Sequence, residues 1–196
     1  MYQTLRAPRS GEVKVHLGPG QNKYIDGWIN LDANMFTGKC DVWVDLRHKL
    51  PFHDSSVDAV YSHHVIEHLP DMEKHFIDVY RCLKKGGVYR IGGPNGDSAI
   101  KKFIADDRKW FSNYPDNRES IGGRLDNFIL CRNEHLAILT FSFIEELMTK
   151  AGFVNITKCV PTEETDYTNL FSKCLEKEHE DDLKFPRTLI VEGVKA

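Results

Sequence analysis

The stretch of sequence that decides the fold is Val13-Lys-Val-His-Leu-Gly-Pro-Gly20. Its β-branched apolar start predicts a buried strand, and its glycine-rich end predicts a tight turn. Glycine lets the backbone pass close to a ligand because no side chain stands in the way. The third glycine of a complete G-x-G-x-x-G motif is missing, since Lys23 holds that position, and this argues against a nicotinamide dinucleotide site.

Further short apolar runs, separated by turn-prone residues, predict six more strands. A helix enclosed between two strands by short turns requires a parallel crossover, so the pattern predicts an α/β sheet with helices on both faces. The predicted strands after the first one span residues 27–32, 41–45, 57–62, 88–91, 153–157 and 188–194.

Two helices follow from apolar residues at helical spacing. The first is predicted over residues 71–85, with Asp71 as its N-cap and the following Gly-Gly pair as its end. The second is predicted over residues 141–151, with Ser142 as N-cap and Gly152 as its end.

Two regions have weaker patterns. Residues 98–134 are mixed, and residues 161–186 form a polar stretch that we interpret as a solvated loop with one helical turn. The aromatic rings of Trp110, Phe111 and Tyr114 are candidates to stack on a sugar or another flat ring, with packing inside a lid as the alternative.

The composition limits the class of protein. The chain has 196 residues and a formal net charge of −3, which predicts one globular domain and no binding to nucleic acid. Five scattered cysteines without a C-x-x-C pair indicate free thiols in a reducing compartment. The N-terminal residues lack an apolar leader segment, and no run is long enough to span a membrane, so we expect a cytoplasmic protein.

Acidic residues follow two predicted strands at the edge where ligands of open α/β sheets collect. Asp32 ends the second strand, where a carboxylate can accept hydrogen bonds from both hydroxyls of a ribose. Asp45 ends the third strand at the same edge. Together with the glycine turn, these residues predict a nucleoside site.

The order of these segments resembles the motif series of the class I S-adenosylmethionine-dependent methyltransferases. The matching segments are L-G-P-G, G-W-I-N-L-D, the run D-L-R-H-K-L-P-F-H-D-S-S-V-D-A-V-Y-S-H-H-V-I-E-H-L, and R-C-L-K-K-G-G-V-Y-R-I-G-G-P-N, with F-S-F-I-E-E-L and A-G-F further on. The version H-L-G-P-G with G-W-I-N-L-D is similar to small methyltransferases of polysaccharide and glycan synthesis. The resemblance implies a Rossmann-like, seven-stranded, mostly parallel sheet with an antiparallel last strand.

The resemblance also implies which residues hold the cofactor. Gly18 and Gly20 would line its methionine and ribose, and Asp32 would hold the ribose hydroxyls. Asp45, with the backbone of Leu46, would contact the adenine amino edge.

Three further positions complete the cofactor hypothesis. His63, just after the fourth strand, would touch the methionine portion. His16 stands where the family often has an acidic residue, and Asn22 holds the third glycine-type position. We therefore expect contacts to the cofactor's amino group to differ from the family pattern.

The segment from His64 to His68 also matches H-x-x-E-H, the inverted zinc-protease motif. That chemistry needs both histidines one turn apart on a stable helix, with Glu67 as the base. Pro70 disfavours such a helix just past the second histidine. Some methyltransferases resembling this chain carry a metal through E-x-x-E-H at this place, but His64 replaces the first glutamate here, and we expect no metal.

Methyl transfer to a hydroxyl requires removal of a proton, for which histidine has a suitable pKa. His135 and His64 are the first candidates for a catalytic role, followed by His68 and Glu67. Each of the three histidines has a structural or capping role as its alternative.

We therefore expect one methyltransferase domain over residues 1–196. Residues 12–95 would form the cofactor half, residues 96–140 an acceptor-site insertion, and residues 141–196 the C-terminal helix and strands. The predicted reaction is O-methylation of a sugar hydroxyl on a glycan or nucleotide-sugar, with S-adenosylmethionine as cofactor. The alternatives are a phenol, carboxylate or amine acceptor, or a cofactor-binding module without catalysis.

Overall fold

The computed structural model describes residues 11–34 and 38–196, and residues 1–10, for which no apolar leader is expected, lie outside them. Within the described residues there is one seven-stranded sheet, in the order β3-β2-β1-β4-β5-β7-β6, in which only β7 is antiparallel to its neighbours. The predicted sheet is confirmed. Its strands are β1 (Lys14–Leu17), β2 (Ile29–Asp32), β3 (Val42–Trp43), β4 (Val57–His63), β5 (Leu83–Pro94), β6 (Phe153–Cys159) and β7 (Thr188–Lys195).

Five α-helices accompany the sheet in the described part of the chain, and none of these is long and apolar enough to cross a membrane. Two of them were predicted, and three lie in the regions with weak patterns. The helices are α1 (Met72–Cys82), α2 (Gly96–Ile104), α3 (Ile121–Leu130), α4 (Phe141–Ala151) and α5 (Thr168–Leu175).

The predicted ends of α1 and α4 are partly corrected. The Asp71 carboxylate accepts a hydrogen bond from the Lys74 N–H and caps α1 as predicted. The helix ends at Cys82 and not at residue 85, because Leu83 already pairs with β4 and the Gly-Gly pair lies inside β5. Helix α4 is capped by Thr140, so the prediction of Ser142 as N-cap is wrong, whereas Gly152 ends the helix with a φ of 102°.

The prediction of residues 161–186 as a solvated loop is wrong. Helix α5 buries Phe171 and Cys174 against Trp28 and Tyr61 on one face of the sheet. The larger core lies on the other face, where α1 and α4 pack. Helices therefore cover both faces, as predicted.

Glu178, in the stretch predicted to be solvated, is buried because it pairs with Arg90 of β5. Arg90 donates two hydrogen bonds to Glu178, at 2.8 and 2.7 Å, and a third to Glu192 of β7, at 2.6 Å. Burial opposes the charge of Arg90, but the bonds and charges of both carboxylates outweigh it and raise its pKa further. The ion cluster thus fastens the segment after α5 to the sheet.

A second buried polar contact joins α1 to the sheet. The His75 imidazole lies 3.0 Å from the Tyr89 hydroxyl, which lies 2.9 Å from the Ser62 hydroxyl. Burial lowers the pKa of His75 to about 4, so the folded protein keeps this imidazole neutral at ordinary pH.

We expect Arg90→Met to lower the free energy of unfolding by about 3–5 kcal/mol, because it leaves two buried carboxylates without a cation. Denaturant unfolding measures this change. Arg108→Met is the matched control, since its ion pair with Asp106 is exposed and its loss should leave the unfolding midpoint unchanged. Equal midpoints for the two variants would contradict the assigned role of the buried cluster.

The buried His75 predicts a loss of stability in acid. The unfolded chain binds a proton at His75 below about pH 6.5, whereas the folded chain resists protonation down to about pH 4. Stability is therefore complete above that window and falls as the pH drops through it. We expect His75→Gln to make the unfolding free energy less dependent on pH, by about 1.4 kcal/mol per pH unit. An unchanged slope between pH 4.5 and 6 would contradict this prediction.

Candidate active site

The glycine turn lies at the carboxyl edge of the sheet and is fastened to β2. Gly18 has a φ of 67° and donates its N–H to the Leu31 carbonyl at 2.8 Å. Gly20 has a φ of 55° and donates its N–H to the Asp32 carboxylate at 2.8 Å. A Cβ at Gly20 would meet no atom within 4 Å, so Gly20 faces open space, whereas a Cβ at Gly18 would collide with the Val65 side chain.

Asp32 is half-buried at the end of β2. Its two carboxylate oxygens each accept one backbone N–H, from Gly20 and from Asn34, both at 2.8 Å. With respect to the described residues, each oxygen keeps a further lone pair for a ligand. This carboxylate beside an open glycine turn fits a ligand that carries a ribose diol.

His16 is fully buried beneath the turn. Its Nδ1 lies 3.0 Å from Asn30 Oδ1, and because the Asn30 amide group donates to backbone carbonyls, His16 Nδ1–H is the donor. Its Nε2 therefore carries a lone pair, which has no partner among the described residues. Burial lowers the pKa of His16 to about 4, so this position holds a neutral acceptor where the family often has an anion.

His63 is buried at the end of β4, and Lys23 reaches it from the glycine turn. The Lys23 ammonium donates to His63 Nδ1 at 2.7 Å. Burial lowers the pKa of His63 well below its usual range, and burial also lowers the pKa of Lys23. In the sequence, Lys23 stands out only as the residue in place of a glycine, whereas in the structure its side chain places an ammonium group beside His63.

Asp45 lies two residues beyond the end of β3 and is already paired. The Arg47 guanidinium donates three hydrogen bonds to its two carboxylate oxygens, and the Arg47 backbone N–H adds a fourth. These hydrogen bonds lower the pKa of Asp45 to about 2. Leu46 follows it and packs against the main core. A ligand at this position would meet a carboxylate shared with Arg47.

A second group of polar side chains lies in a cavity of about 420 Å³, where β4 and β5 end. The four residues predicted as catalytic candidates all line it: His64, Glu67, His68 and His135. The chain leaves β4 through His64, which has a φ of 56° and donates its N–H to the Gly92 carbonyl. The structure therefore brings these four residues together.

Glu67 is the buried centre of this cavity wall. Its Oε1 accepts a hydrogen bond from His64 Nδ1 at 3.1 Å. Its backbone carbonyl accepts the Leu136 N–H at 2.7 Å, which fastens the segment that carries His135. Burial lowers the pKa of His135, so its imidazole is neutral near pH 7.

The helix required by the inverted zinc-protease motif is not formed. Residues Ile66–His68 make a single 3₁₀ turn, which ends at Leu69, next to Pro70. The two histidines of H-x-x-E-H are therefore not held one turn apart on an α-helix. This agrees with the prediction that Pro70 disfavours such a helix.

The predicted aromatic acceptor platform is largely a packed lid. Trp110 and Phe111 are buried with Ile129, and the Trp110 indole N–H donates to the Phe185 carbonyl at 2.7 Å. Tyr114 differs, since it is 72% exposed and lines the cavity. Among these three residues, only Tyr114 is free to contact an acceptor.

Comparisons with known proteins find similar methyltransferases. Residues 32–91 match the family model described as a methyltransferase domain. A probable S-adenosylmethionine-dependent methyltransferase of Mycolicibacterium smegmatis is 43% identical over 26% of this chain and 22% of its own length. Phosphoethanolamine N-methyltransferase 2 of Caenorhabditis elegans is 37% identical over 28% of this chain and 14% of its own length. The matched segments thus span less than a quarter of either relative.

The fold has a solved counterpart in an S-adenosylmethionine-dependent methyltransferase from Archaeoglobus fulgidus. The TM-score is 0.60 at 16% identity, over 94% of this chain and 86% of that one. The chain therefore has the Rossmann-like fold of the class I methyltransferases, and the sequence matches support a class I methyltransferase with S-adenosylmethionine as cofactor.

Proposed function

We propose that the protein transfers a methyl group from S-adenosylmethionine to a hydroxyl of a small polar acceptor, with a sugar as the favoured class. S-adenosylmethionine supplies an electrophilic methyl group on a sulfonium. In this proposal, Asp32 accepts hydrogen bonds from the ribose hydroxyls, and the open face of Gly20 lets the ligand approach the backbone, while Gly18 makes room for Val65 beneath the turn. Lys23 adds a cation suited to a carboxylate, and His16 Nε2 adds a buried acceptor.

The observation that carries the O-methylation proposal is the hydrogen-bonded pair of His64 and Glu67. The Glu67 carboxylate accepts a hydrogen bond from His64 Nδ1–H, so His64 Nε2 carries the lone pair. The His64 side chain is 42% exposed and lines the cavity. An imidazole oriented in this way accepts a proton from a hydroxyl. Removing the proton makes the hydroxyl oxygen a better nucleophile toward a methyl carbon.

The rest of the cavity supports a polar acceptor. Asn127 and Ser112 contribute polar groups, and the exposed ring of Tyr114 offers a face for stacking. These groups match the mixture of hydroxyls and apolar ring faces on a sugar.

The five cysteines are unpaired within the described residues, which supports a reducing compartment such as the cytoplasm.

An amine acceptor with an anionic group is the second candidate. Arg187 lines the same cavity. Its Nε–H donates to the Trp110 carbonyl at 2.7 Å, and this is the only side-chain hydrogen bond that Arg187 forms with the described residues. The remaining guanidinium donors suit a phosphate or carboxylate. The relative named as a phosphoethanolamine N-methyltransferase supports testing this class of acceptor.

We expect Asp32→Asn to weaken binding of S-adenosylhomocysteine about tenfold or more, because one charged acceptor for the ribose is lost. Isothermal titration calorimetry measures the affinity, with NAD as a ligand that should not bind. Asp26→Asn is the matched control, since this exposed carboxylate lies in the neighbouring turn, away from Asp32. Equal affinities for both variants would contradict the cofactor assignment.

We expect His64→Asn to lower kcat by about 10²–10⁴-fold, because asparagine cannot accept the proton. Asparagine tolerates the positive φ of this position, so the backbone is preserved. Transfer of a labelled methyl group from the cofactor to methyl glycosides, nucleotide-sugars, catechols and amines is measured to identify the acceptor. The affinity of His64→Asn for S-adenosylhomocysteine should stay within twofold of that of the parent protein. His53→Asn, at an exposed position, is the control.

Three results would contradict the proposal. Transfer only to amines would favour the second candidate, and full activity of His64→Asn would remove the proposed base. Cofactor binding without transfer to any acceptor in the panel would favour a binding module.

A further inference from the structure

Three potential metal ligands meet in the cavity wall. Glu67, His68 and His135 each place one donor atom within 4.8 Å of the other two. The imidazole rings of His68 and His135 lie edge to face, with centroids 4.9 Å apart. Two imidazoles and one carboxylate so arranged form a set that suits a divalent cation.

The hydrogen bonds of both imidazoles fix which nitrogen is free. His68 Nδ1 donates to the Glu134 carbonyl at 2.9 Å, and His135 Nδ1 donates to the Ile129 carbonyl at 3.1 Å. Because a backbone carbonyl only accepts, each neutral ring must carry its proton on Nδ1. Each Nε2 is then a lone-pair donor, which is the outer-shell arrangement of metal-binding histidines.

Glu67 supplies the second, independent observation. Its side chain is fully buried, and its Oε2 has no hydrogen-bond partner among the described residues. A buried carboxylate oxygen without a partner is costly, so such atoms are generally paired or coordinate a metal. A cation between Oε2 and the two imidazoles would satisfy it while Oε1 keeps its bond to His64.

We propose that Glu67 Oε2, His68 Nε2 and His135 Nε2 bind a divalent first-row transition-metal ion. Imidazole ligands favour zinc, cobalt, iron or nickel over magnesium and calcium, which prefer oxygen. Three protein ligands leave a coordination position open toward the cavity. An acceptor oxygen bound there would be polarised next to His64, and this part of the inference rests on the proposed methyl transfer.

The inference revises the expectation of no metal. As a zinc-protease motif, H-x-x-E-H would require a helix with both of its histidines as ligands. In the structure, His64 serves as a hydrogen-bond partner of Glu67, and the third ligand is His135, which the Leu136 N–H bond to the Glu67 carbonyl holds in place.

Cobalt binding tests the site without reference to activity. Untagged protein comprising residues 1–196 is treated with chelator, dialysed and titrated with Co²⁺. Bound metal is followed by visible d–d absorption and by elemental analysis. We expect about one ion per chain, displaced by Zn²⁺. We expect His135→Ala and His68→Ala to weaken Co²⁺ binding at least tenfold each, since each removes one ligand.

Two controls separate loss of the site from loss of the fold or of the cofactor site. His53→Ala removes an exposed imidazole elsewhere and should bind Co²⁺ as the parent protein does. Far-ultraviolet circular dichroism and S-adenosylhomocysteine affinity should be unchanged in the two ligand variants. Failure to bind Co²⁺, or equal binding by His135→Ala and His53→Ala, would overturn the metal site and leave the proposed methyl transfer standing.

Discussion

Parallel pairing of β1 with β2 and β4 is the constraint on which the candidate site depends. The register places Leu17 beside Leu31 on one side and beside Ser62 on the other. The next residue of each strand is then Gly18, Asp32 and His63, so three sequence-distant segments end at one level. A shift by one residue would turn these side chains to the opposite face of the sheet.

The same edge continues into the cavity through backbone hydrogen bonds. The Gly92 carbonyl at the end of β5 accepts the His64 N–H, and the Glu67 carbonyl accepts the Leu136 N–H. These bonds place the 3₁₀ turn after β4 against the segment before α4. The glycine turn, where we propose that the cofactor binds, and the cavity, where we propose that the acceptor binds, thus lie along one edge of the sheet, which would suit transfer of a group between two ligands.

Much of the fold was predictable because its signals are local. Buried parallel strands appear as short apolar runs, and Asp71 and Gly152 mark helix ends by their own conformational preferences. The prediction for the segment containing α5 was wrong because Glu178 lies in a charged stretch, which is typical of a solvated loop. Its burial depends on the ion pair with Arg90, which is distant in the sequence. A buried ion pair between distant residues produces no periodic hydrophobic pattern in the sequence around either residue.

The site was predictable to a different degree in its two halves. Gly18 and Asp32 are adjacent to strands, so their positions follow from the topology. The four cavity residues were named from their chemistry, but their grouping depends on two long-range hydrogen bonds, from His68 Nδ1 to the Glu134 carbonyl and from the Leu136 N–H to the Glu67 carbonyl. Lys23 was missed as a functional candidate because its importance lies in its contact with His63, which no local spacing indicates.

The most direct test of the account is a crystal structure with bound S-adenosylhomocysteine. We predict that both ribose hydroxyls lie within hydrogen-bond distance of the Asp32 carboxylate and that the sulfur is directed toward the cavity lined by His64 and Glu67. A nucleoside bound away from Asp32, or a sulfur facing away from that cavity, would contradict it.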